Sequence, residues 1–417
     1  MTESAALISN DAIVLGILAL MLGFVFKTSN SDNKAFQAFY RYIPALLLCY
    51  FLPSLLNTFN IIDGEKSNLY FIASRYLLPA SLVLLTLSVD FKRIIALGPK
   101  AVVMFLTGTL GIVIGGPIAI ILVSLVSPEI VGGHGPDAVW RGMTTIAGSW
   151  IGGGANQVAM KETYEVGNDM FSVMVTIDII VANIWMAVLL IMASKAKQLD
   201  EKNGANTEAL DDLKDTVEAF QLKHSRIPQL PDFMYMLAIA FGITGFAHLV
   251  ADNLAPWIGT NLPILKDYSL DSKFFWMIVT ATIGGLALSF TKLRMMESVG
   301  ASKVGSSFIY VLVASIGMKM NILAIFEHYE LFIVGFIWML VHASLILIVA
   351  KLIKAPTFYM AVGSQANVGG AASAPVVASA FHPSLAPVGV LLAVLGYTIG
   401  TAAAWFCGQL MRMVAPI

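Results

Sequence analysis

The sequence predicts an all-α polytopic membrane protein, built as two six-segment halves that form an inverted repeat. Hydrophobic residues make up 58% of the 417 residues and charged residues only 12%, which is about half the charged fraction of a soluble globular protein. Apolar runs of about 20 residues, long enough to span a bilayer as helices, recur along the whole chain. Two of these runs are interrupted by glycines and amides at matching positions of the two halves, so each half is expected to carry a broken helix or a re-entrant hairpin.

The apolar runs define about twelve hydrophobic segments. Residues 1–197 hold the first six as one transmembrane repeat, and residues 231–417 hold the second repeat. The segments lie near 8–26, 38–57, 69–89, 100–126, 138–163, 168–194, 232–254, 272–290, 304–324, 330–350, 356–380 and 386–411. The chain is therefore expected to be a multi-pass protein whose surroundings are the lipid bilayer.

A charged linker, residues 198–230, separates the two repeats. Within it Leu210, Leu213, Val217 and Phe220 recur at helical spacing among Asp, Glu and Lys. This spacing predicts an amphipathic helix on the membrane surface. A plain solvated linker is an equally good interpretation.

The fifth segment of each half, 138–163 and 356–380, contains the interruption. The first reads SWIGGGANQVAMKE and the second reads MAVGSQANVGGAASAPVV. A glycine in a helix interior costs about 1 kcal/mol relative to alanine, and unwound backbone survives in a membrane only inside protein or along a cavity. Paired interruptions of this kind indicate a transporter's binding site at the bilayer midplane. Close helix packing is the alternative for the glycines, but it does not explain the amides beside them.

The positive charges favour hairpins over full crossings. If both interrupted segments return to their side of entry, the lysines and arginines other than Arg75 and Lys319 divide 17 to 6 between the two membrane faces. If both segments cross, the division is 14 to 9. The positive-inside rule therefore prefers hairpins, with the linker cytoplasmic and both termini outside.

The candidate substrate-binding residues are the small and polar residues at the two interruptions. They are Ser149, Gly152, Gly153, Gly154, Gln157, Ser364, Gly369, Gly370 and Ser373. Free N–H groups at the start of each half-helix suit a carboxylate. The expected substrate is therefore a small anionic molecule.

The candidate ion-binding residues centre on Asp178, which lies in the middle of the sixth segment. A carboxylate at this depth is by default a functional hypothesis. It could ligate sodium together with neighbouring oxygens, or carry a proton; a structural hydrogen-bond acceptor is the alternative. The full set of candidates for sodium or a proton is Asn156, Thr176, Asp178, Asn183, Gln365 and Asn367.

Other classes of function find no support in the sequence. The net charge of −1 includes no basic patch for nucleic acid. Cys49 and Cys407 both lie in apolar runs, no phosphate-binding loop is present, and no nucleophile is paired with a base. The chain is therefore expected not to be an enzyme and to need no cofactor or metal beyond sodium.

Both interrupted segments, together with LSVDFKRIIALGPKAVV, resemble a bacterial and plant family of integral membrane proteins that is defined only as a domain of unknown function. More distantly, the interruptions are similar to those of the bile acid/sodium symporter superfamily: Ala155, Asn156 and Gln365 match its motifs, and Asn367 lies one place beyond the expected asparagine. That resemblance implies a core domain with both broken elements, a panel domain, and sodium-coupled uptake of an organic anion by an elevator-like or rocking motion. By analogy, Asn156, Gln365 and Asn367 contribute to sodium sites.

Two features depart from that superfamily. Its acidic residue before the second glycine break falls at Ala361, so one expected carboxylate ligand is missing, and Asp178 is the candidate replacement. Its broken helices also cross the membrane, whereas the charges here favour hairpins, as in citrate and glutamate sodium symporters. Re-entrant hairpins and broken helices that cross the membrane are therefore both kept as alternatives.

The expected function is a secondary active transporter of the bacterial inner membrane, a sodium-coupled symporter for a small organic anion. The alternatives are a proton-coupled exporter or antiporter, and a membrane sensor that binds a ligand without translocating it. Elevator-type relatives are often dimers, so a homodimer is expected by analogy.

Overall fold

The computed structural model describes residues 7–40, 43, 45–64, 66–90, 94–95, 97–207, 227–320, 328–382 and 385–416. The helices that carry its architecture are α1 (Asp11–Ser29), α2 (Lys34–Tyr40), α3 (Ala45–Thr58), α4 (Leu69–Leu87), α5 (Pro99–Ser124), α6 (Val139–Thr163), α7 (Asn168–Ser194), α8 (Ala196–Asn203), α9 (Leu230–Asn261), α10 (Lys273–Ser289), α11 (Ala301–Gly317), α12 (Leu331–Leu352), α13 (Thr357–Val368), α14 (Gly370–Phe381) and α15 (Ala386–Val414). The predicted amphipathic helix, with Leu210, Leu213, Val217 and Phe220, lies outside the described residues.

The described chain is an all-helical, multi-span membrane protein. Seven of its helices are long and apolar enough to cross a bilayer, or up to nine if each of two bent helix pairs is one span. The prediction of twelve segments is not confirmed at that level, because several predicted segments fold as shorter helices. α3 has 14 residues and α10 and α11 have 17 each, whereas a perpendicular span needs about 20.

The helices form two bodies. We call the first the hairpin bundle; it contains α5, α6, α7, α12, α13, α14 and α15, and its interior holds most of the large buried side chains. We call the second the panel; it contains α1, α3, α4, α9, α10 and α11. Much of α1 and α9 is exposed on the outside of the panel, as expected for surfaces that face lipid.

Helix packing follows the same pattern in both halves of the chain. α1 packs on α3, and α9 packs on α10; α3 packs on α11, and α10 packs on α4. In the hairpin bundle, α6 packs on α15, while α13 and α14 pack on α7, and α5 packs on α12. Each of these contacts has a counterpart between the helices at the corresponding places in the other half, whereas the contact of α13 with α5 has none between α6 and α12 at the same level of packing.

Candidate functional site

The first interrupted segment, α6, is a hairpin whose chain reverses at Gly153. This glycine has φ 72° and ψ −174°, a conformation outside the helical region. Arg141, near the start of α6, donates a hydrogen bond to the carbonyl oxygen of Tyr164, just after its end, and the amide of Gly167 bonds to the oxygen of Pro136 at 2.9 Å. A straight helix would separate Arg141 and Tyr164 by about 35 Å. Both ends of α6 therefore lie on the same side.

The second interrupted segment, α13 and α14, is also a hairpin. The ring of Phe358, near the start of α13, lies 5.3 Å from the ring of Phe381, at the end of α14. The reversal occurs at Gly370, which has φ 56°. Each arm has 12 residues and so rises about 18 Å, which is too short for a hydrocarbon core of about 30 Å. The hairpin geometry that the charge distribution favoured is present in both segments.

The tips of the two hairpins meet. A Cβ atom built on Gly370 would lie 3.7 Å from the Cα atom of Gly153 and 3.9 Å from the hydroxyl oxygen of Tyr397 on α15. A Cβ atom on Gly153 would lie 3.2 Å from the Tyr397 ring. Next to it, Gly154 is half-buried and faces Ile309 of the panel helix α11. Backbone from two hairpins, an aromatic side chain and the panel therefore surround one point inside the protein.

Asp178 holds the two arms of the first hairpin together. Its Oδ1 accepts a hydrogen bond of 2.7 Å from the indole of Trp150 on the first arm, and its Oδ2 accepts one of 2.9 Å from the amide of Gln157 on the second arm. The hydroxyl of Ser149 also bonds to this carboxylate. The hydroxyl of Tyr50, in the panel helix α3, donates to Gln157 Oε1 at 3.3 Å. In this geometry the buried carboxylate positions the hairpin.

The structure does not bring Thr176 and Asn183 to Asp178. The Thr176 hydroxyl donates to the carbonyl oxygen of Ser172 at 2.9 Å, and the Asn183 amide donates to that of Ile179 at 2.7 Å, both within α7. Thr176 lies two residues before Asp178 and Asn183 five residues after it. At 100° per residue, their side chains point about 160° and 140° away from that of Asp178. Thr176 and Asn183 therefore share one face of α7, and Asp178 lies on the opposite face.

Asn156 ties the first hairpin to α15. The side chain is fully buried; its amide donates to the carbonyl oxygen of Gly152 at 2.8 Å, and its Oδ1 accepts from the hydroxyl of Thr401. A Cβ atom on Gly152 would collide with this amide. The break would leave the Gly152 carbonyl without its helical partner, and Asn156 supplies one, as a buried backbone group requires.

Asn367 ties the second hairpin to α5. Both hydrogens of its amide are used, in bonds of 2.9 Å to the carbonyl oxygens of Phe105 and Gly363, and its Oδ1 accepts from the Thr109 hydroxyl at 2.7 Å. The side chain is fully buried. These bonds fix the packing of α13 rather than leaving Asn367 exposed to a solute.

Ser364 belongs to a buried network beneath the second hairpin. Its oxygen accepts from the Trp185 indole at 2.8 Å and lies 2.7 Å from Nε2 of His342. His342 Nδ1 lies 3.0 Å from the carbonyl oxygen of Gly108. Because that oxygen can only accept, Nδ1 carries the proton and Nε2 accepts from Ser364. Sequence reasoning did not identify Trp185 or His342, since single polar groups in apolar helices carry no spacing signal.

Gln365 differs from the other amides at the interruptions. Its Nε2 donates to the Ser373 hydroxyl at 2.7 Å across the two arms of the second hairpin. Its Oε1 is buried and has no partner among the described residues, although only 1% of the side chain is exposed. A buried carbonyl oxygen without a donor costs about 1–3 kcal/mol. The amide group lies next to the tip glycine, since a Cβ atom built on Gly369 would collide with Gln365 Nε2, and its Oε1 is an acceptor that a ligand's donor could satisfy.

Apart from Thr176 and Asn183, whose side chains bond to backbone within α7, the predicted substrate-binding and ion-binding residues divide into two groups. Those at the meeting point of the tips are Gly153, Gly154, Gln365, Gly369, Gly370 and Ser373. Those engaged in holding the hairpins and neighbouring helices are Ser149, Gly152, Asn156, Gln157, Asp178, Ser364 and Asn367. Tyr397 at the tips was not predicted, because an aromatic residue in an apolar segment looks like any other core residue.

A second polar cluster lies at the base of the first hairpin. Arg75, in a π-helical turn of α4 at Ala73–Leu77, forms a 2.7 Å ion pair with Glu162 at the end of the second arm. Tyr70 of α4 donates a hydrogen bond to the same carboxylate, and the ammonium group of Lys161 lies 4.8 Å from the centre of the Tyr70 ring. This cluster links the panel to the hairpin bundle.

Comparison with known proteins identifies relatives of the same kind. The chain is 24% identical over 366 residues to a Bacillus subtilis (strain 168) protein named "Uncharacterized membrane protein YjcL", and the match covers 82% of this chain and 84% of that protein. Residues 16–414 match the family described as "Protein of unknown function (DUF819)". The chain therefore belongs to the DUF819 family of membrane proteins.

Proposed function

We propose that this protein is a secondary active transporter of the bacterial inner membrane, with its substrate site where the two hairpin tips meet. The observation that carries the proposal is the approach of Gly370 to Gly153 beside Tyr397. Two re-entrant hairpins that meet inside a bundle place unwound backbone where only a cavity or a ligand can use its polar groups. A purely structural hairpin would not need two glycine tips in contact.

The site favours a small organic anion. The second arms of both hairpins begin at the tips, so their free N–H groups and positive dipole ends lie there. α14 begins without a side chain to cap its amides. An anion would satisfy these donors.

Alternating access is supported by the packing of the halves. Several helix contacts recur in the other half, among them α1 on α3 with α9 on α10. This is a pattern that an inverted repeat would produce, and the charge distribution favours an inverted orientation. Two halves of this kind can exchange roles, so that the tips face one side of the membrane and then the other. The panel and the hairpin bundle are the two bodies that would move.

Sodium coupling is the first form of the proposal, and proton coupling is the second. The first arms of both hairpins end at the tips, and their free carbonyl oxygens are the kind of hard oxygen donor that sodium prefers. Asp178 favours proton coupling, because it is a buried carboxylate whose partners among the described residues are neutral donors and not a cation. A non-translocating sensor would share the site but show binding without flux.

The deciding experiment measures uptake into proteoliposomes under an imposed sodium gradient or an imposed pH gradient. Candidate solutes come from a thermal-shift screen of the purified chain against organic anions and amino acids, because a ligand of the folded state raises its stability. Gly370→Ala should lower uptake, because alanine is strained at this left-handed backbone position and its methyl group would occupy the meeting point, 3.7 Å from the Gly153 Cα atom. Gly242→Ala, at an exposed face of α9 with open space around it, is the control. Binding without uptake under either gradient contradicts transport and supports a sensor.

A further inference from the structure

From the chemistry of the tips we infer the class of ligand: a monocarboxylate that carries a hydrogen-bond donor, hydroxyl or ammonium, next to its carboxylate. This inference rests on the proposed function and narrows its substrate. Three observations carry it: the hydrogen-bond donors available at the tips, the unpartnered oxygen of Gln365, and the position of the Ser373 hydroxyl.

The tips offer hydrogen-bond donors for one carboxylate but no cationic side chain for a second. The second arm of α6 and α14 begin there, while the first arm of α6 and α13 end there, so the positive and negative dipole ends, roughly half a charge each, cancel. None of the described residues at the tips is a lysine, arginine or histidine. In the first hairpin, Lys161 lies eight residues below Gly153, about 12 Å down the arm. One carboxylate can accept from the free N–H groups of the second arms, whereas the second carboxylate of a dicarboxylate would have no cation beside it.

The ligand must also supply a donor. Gln365 Oε1 is an acceptor, is buried, and has no partner among the described residues, while its Nε2 is already used by Ser373. A hydroxyl or ammonium group of the ligand would satisfy this oxygen. Rotating the Gln365 amide by 180° would exchange its oxygen and nitrogen. The Gln365→Met variant distinguishes these two orientations.

The Ser373 hydroxyl places donor and carboxylate next to each other. Its oxygen accepts from Gln365 at 2.7 Å, so its own proton remains available for an acceptor. Ser373 is half-buried and lies three residues into α14, close to the amides that begin this helix. A carboxylate on those amides can accept from Ser373 while its α-substituent donates to Gln365. α-Hydroxy and α-amino acids have this arrangement.

The test compares probes of similar size on the purified full-length chain. Lactate and alanine carry one carboxylate and an α-donor, propionate lacks the donor, and succinate adds a second charge. At least one of lactate and alanine should bind at least tenfold more tightly than propionate in calorimetry or thermal shift, and succinate should bind most weakly. Succinate binding as tight as that of lactate or alanine would overturn the inference.

Gln365→Met provides the sharper variant, because it keeps length and burial but removes both amide groups. The ratio of the affinity for lactate or alanine to that for propionate should fall by about tenfold, while the affinity for propionate stays unchanged. If the variant instead weakens all anions equally and removes their sodium dependence, Oε1 holds a cation and the inference is wrong. An equal loss for all anions without any sodium effect would show that the amide nitrogen binds the carboxylate, and would also overturn it.

Gln365→Glu distinguishes the two donors and preserves shape. If an ammonium group occupies the site, the added negative charge should increase the affinity for alanine relative to that for lactate. If the occupant is a hydroxyl group, the affinities for both ligands should fall. Gly370→Ala separates this inference from the proposed function. If it abolishes binding of a ligand of another class, only the ligand class is wrong. If it leaves binding of every ligand unchanged, the tip site itself is wrong.

Discussion

At the residue scale, single buried side chains determine the shape of each hairpin. Asp178 joins the arms of the first hairpin through Trp150 and Gln157, and Asn367 fixes the second hairpin to α5. Charge-assisted hydrogen bonds of this kind are about twice as strong as neutral ones. The positions of the tips therefore depend on residues that do not reach the meeting point.

Asp178→Asn should destabilise the first hairpin. Both carboxylate oxygens accept from donors, and an amide would direct its N–H groups at one of them. A buried donor without an acceptor costs about 1–3 kcal/mol, so thermal unfolding in detergent should occur at a lower temperature, and substrate uptake should fall with it.

Thr176→Val is the matched control, because it removes a polar group of the same helix whose bond stays inside α7. It should change the unfolding temperature far less than Asp178→Asn does. An Asp178→Asn protein as stable as the wild type would show that the carboxylate does not position the hairpin. Stable protein with lost coupling would instead support direct ion binding at Asp178.

At the element scale, each hairpin is anchored at its base by one carboxylate that lies outside the tips. Glu162 binds α4 at the base of the first hairpin. Asp200, on the short linker helix α8, accepts hydrogen bonds of 2.7 Å from both the backbone amide and the hydroxyl of Thr357. It thereby caps α13, whose preceding residue Pro356 offers no side-chain cap. The linker is therefore part of the structure of the second hairpin.

Asp200→Ala should loosen the start of α13. Loss of an N-terminal cap costs about 0.5–2 kcal/mol, and the removed charge also faces the positive end of the helix. Hydrogen exchange of the amides in 357–368 should become faster, while exchange in the first hairpin stays the same.

Asp169→Ala is the matched control, since Asp169 is an exposed acidic residue in the first turn of α7. It should leave exchange in 357–368 unchanged. Equal effects of the two variants, or none from Asp200→Ala, would contradict a capping role for the linker.

At the scale of the whole molecule, sequence patterns predicted the large features and missed the contacts between them. Interrupted apolar segments and the positions of positive charges predicted two hairpins, because glycine, polarity and charge act through general costs in a membrane. They did not predict that Asn156 and Asn367 hold helices together, or that Tyr397 and Trp150 lie at the site. Those roles depend on which helix faces pack together, and one sequence does not encode that pairing in local spacing.

The two bodies are joined by the cluster at Arg75, and this contact should stabilise the arrangement seen here. Arg75 and Tyr70 belong to the panel and Glu162 to the hairpin bundle, so any movement of one body past the other must break these bonds. Glu162→Gln should therefore raise hydrogen exchange in the arm 154–163 and in the turn at 73–77. Spin-label distances between panel and bundle should broaden or shift in the same variant.

The exchanged pair Arg75→Glu with Glu162→Arg tests whether charge pairing causes this effect. If it does, the double variant should restore part of the protection that each single variant loses, with a coupling of about 0.5–3 kcal/mol between contacting residues. Asp252→Asn is the control: it breaks a 2.9 Å ion pair with Lys273 that lies within the panel and is largely exposed. It should alter neither exchange in 154–163 nor the distances between the bodies. The contrary result is that every variant keeps the wild-type distances between panel and hairpin bundle and still takes up substrate. In that case the ion pair of Arg75 and Glu162 does not stabilise the arrangement described here.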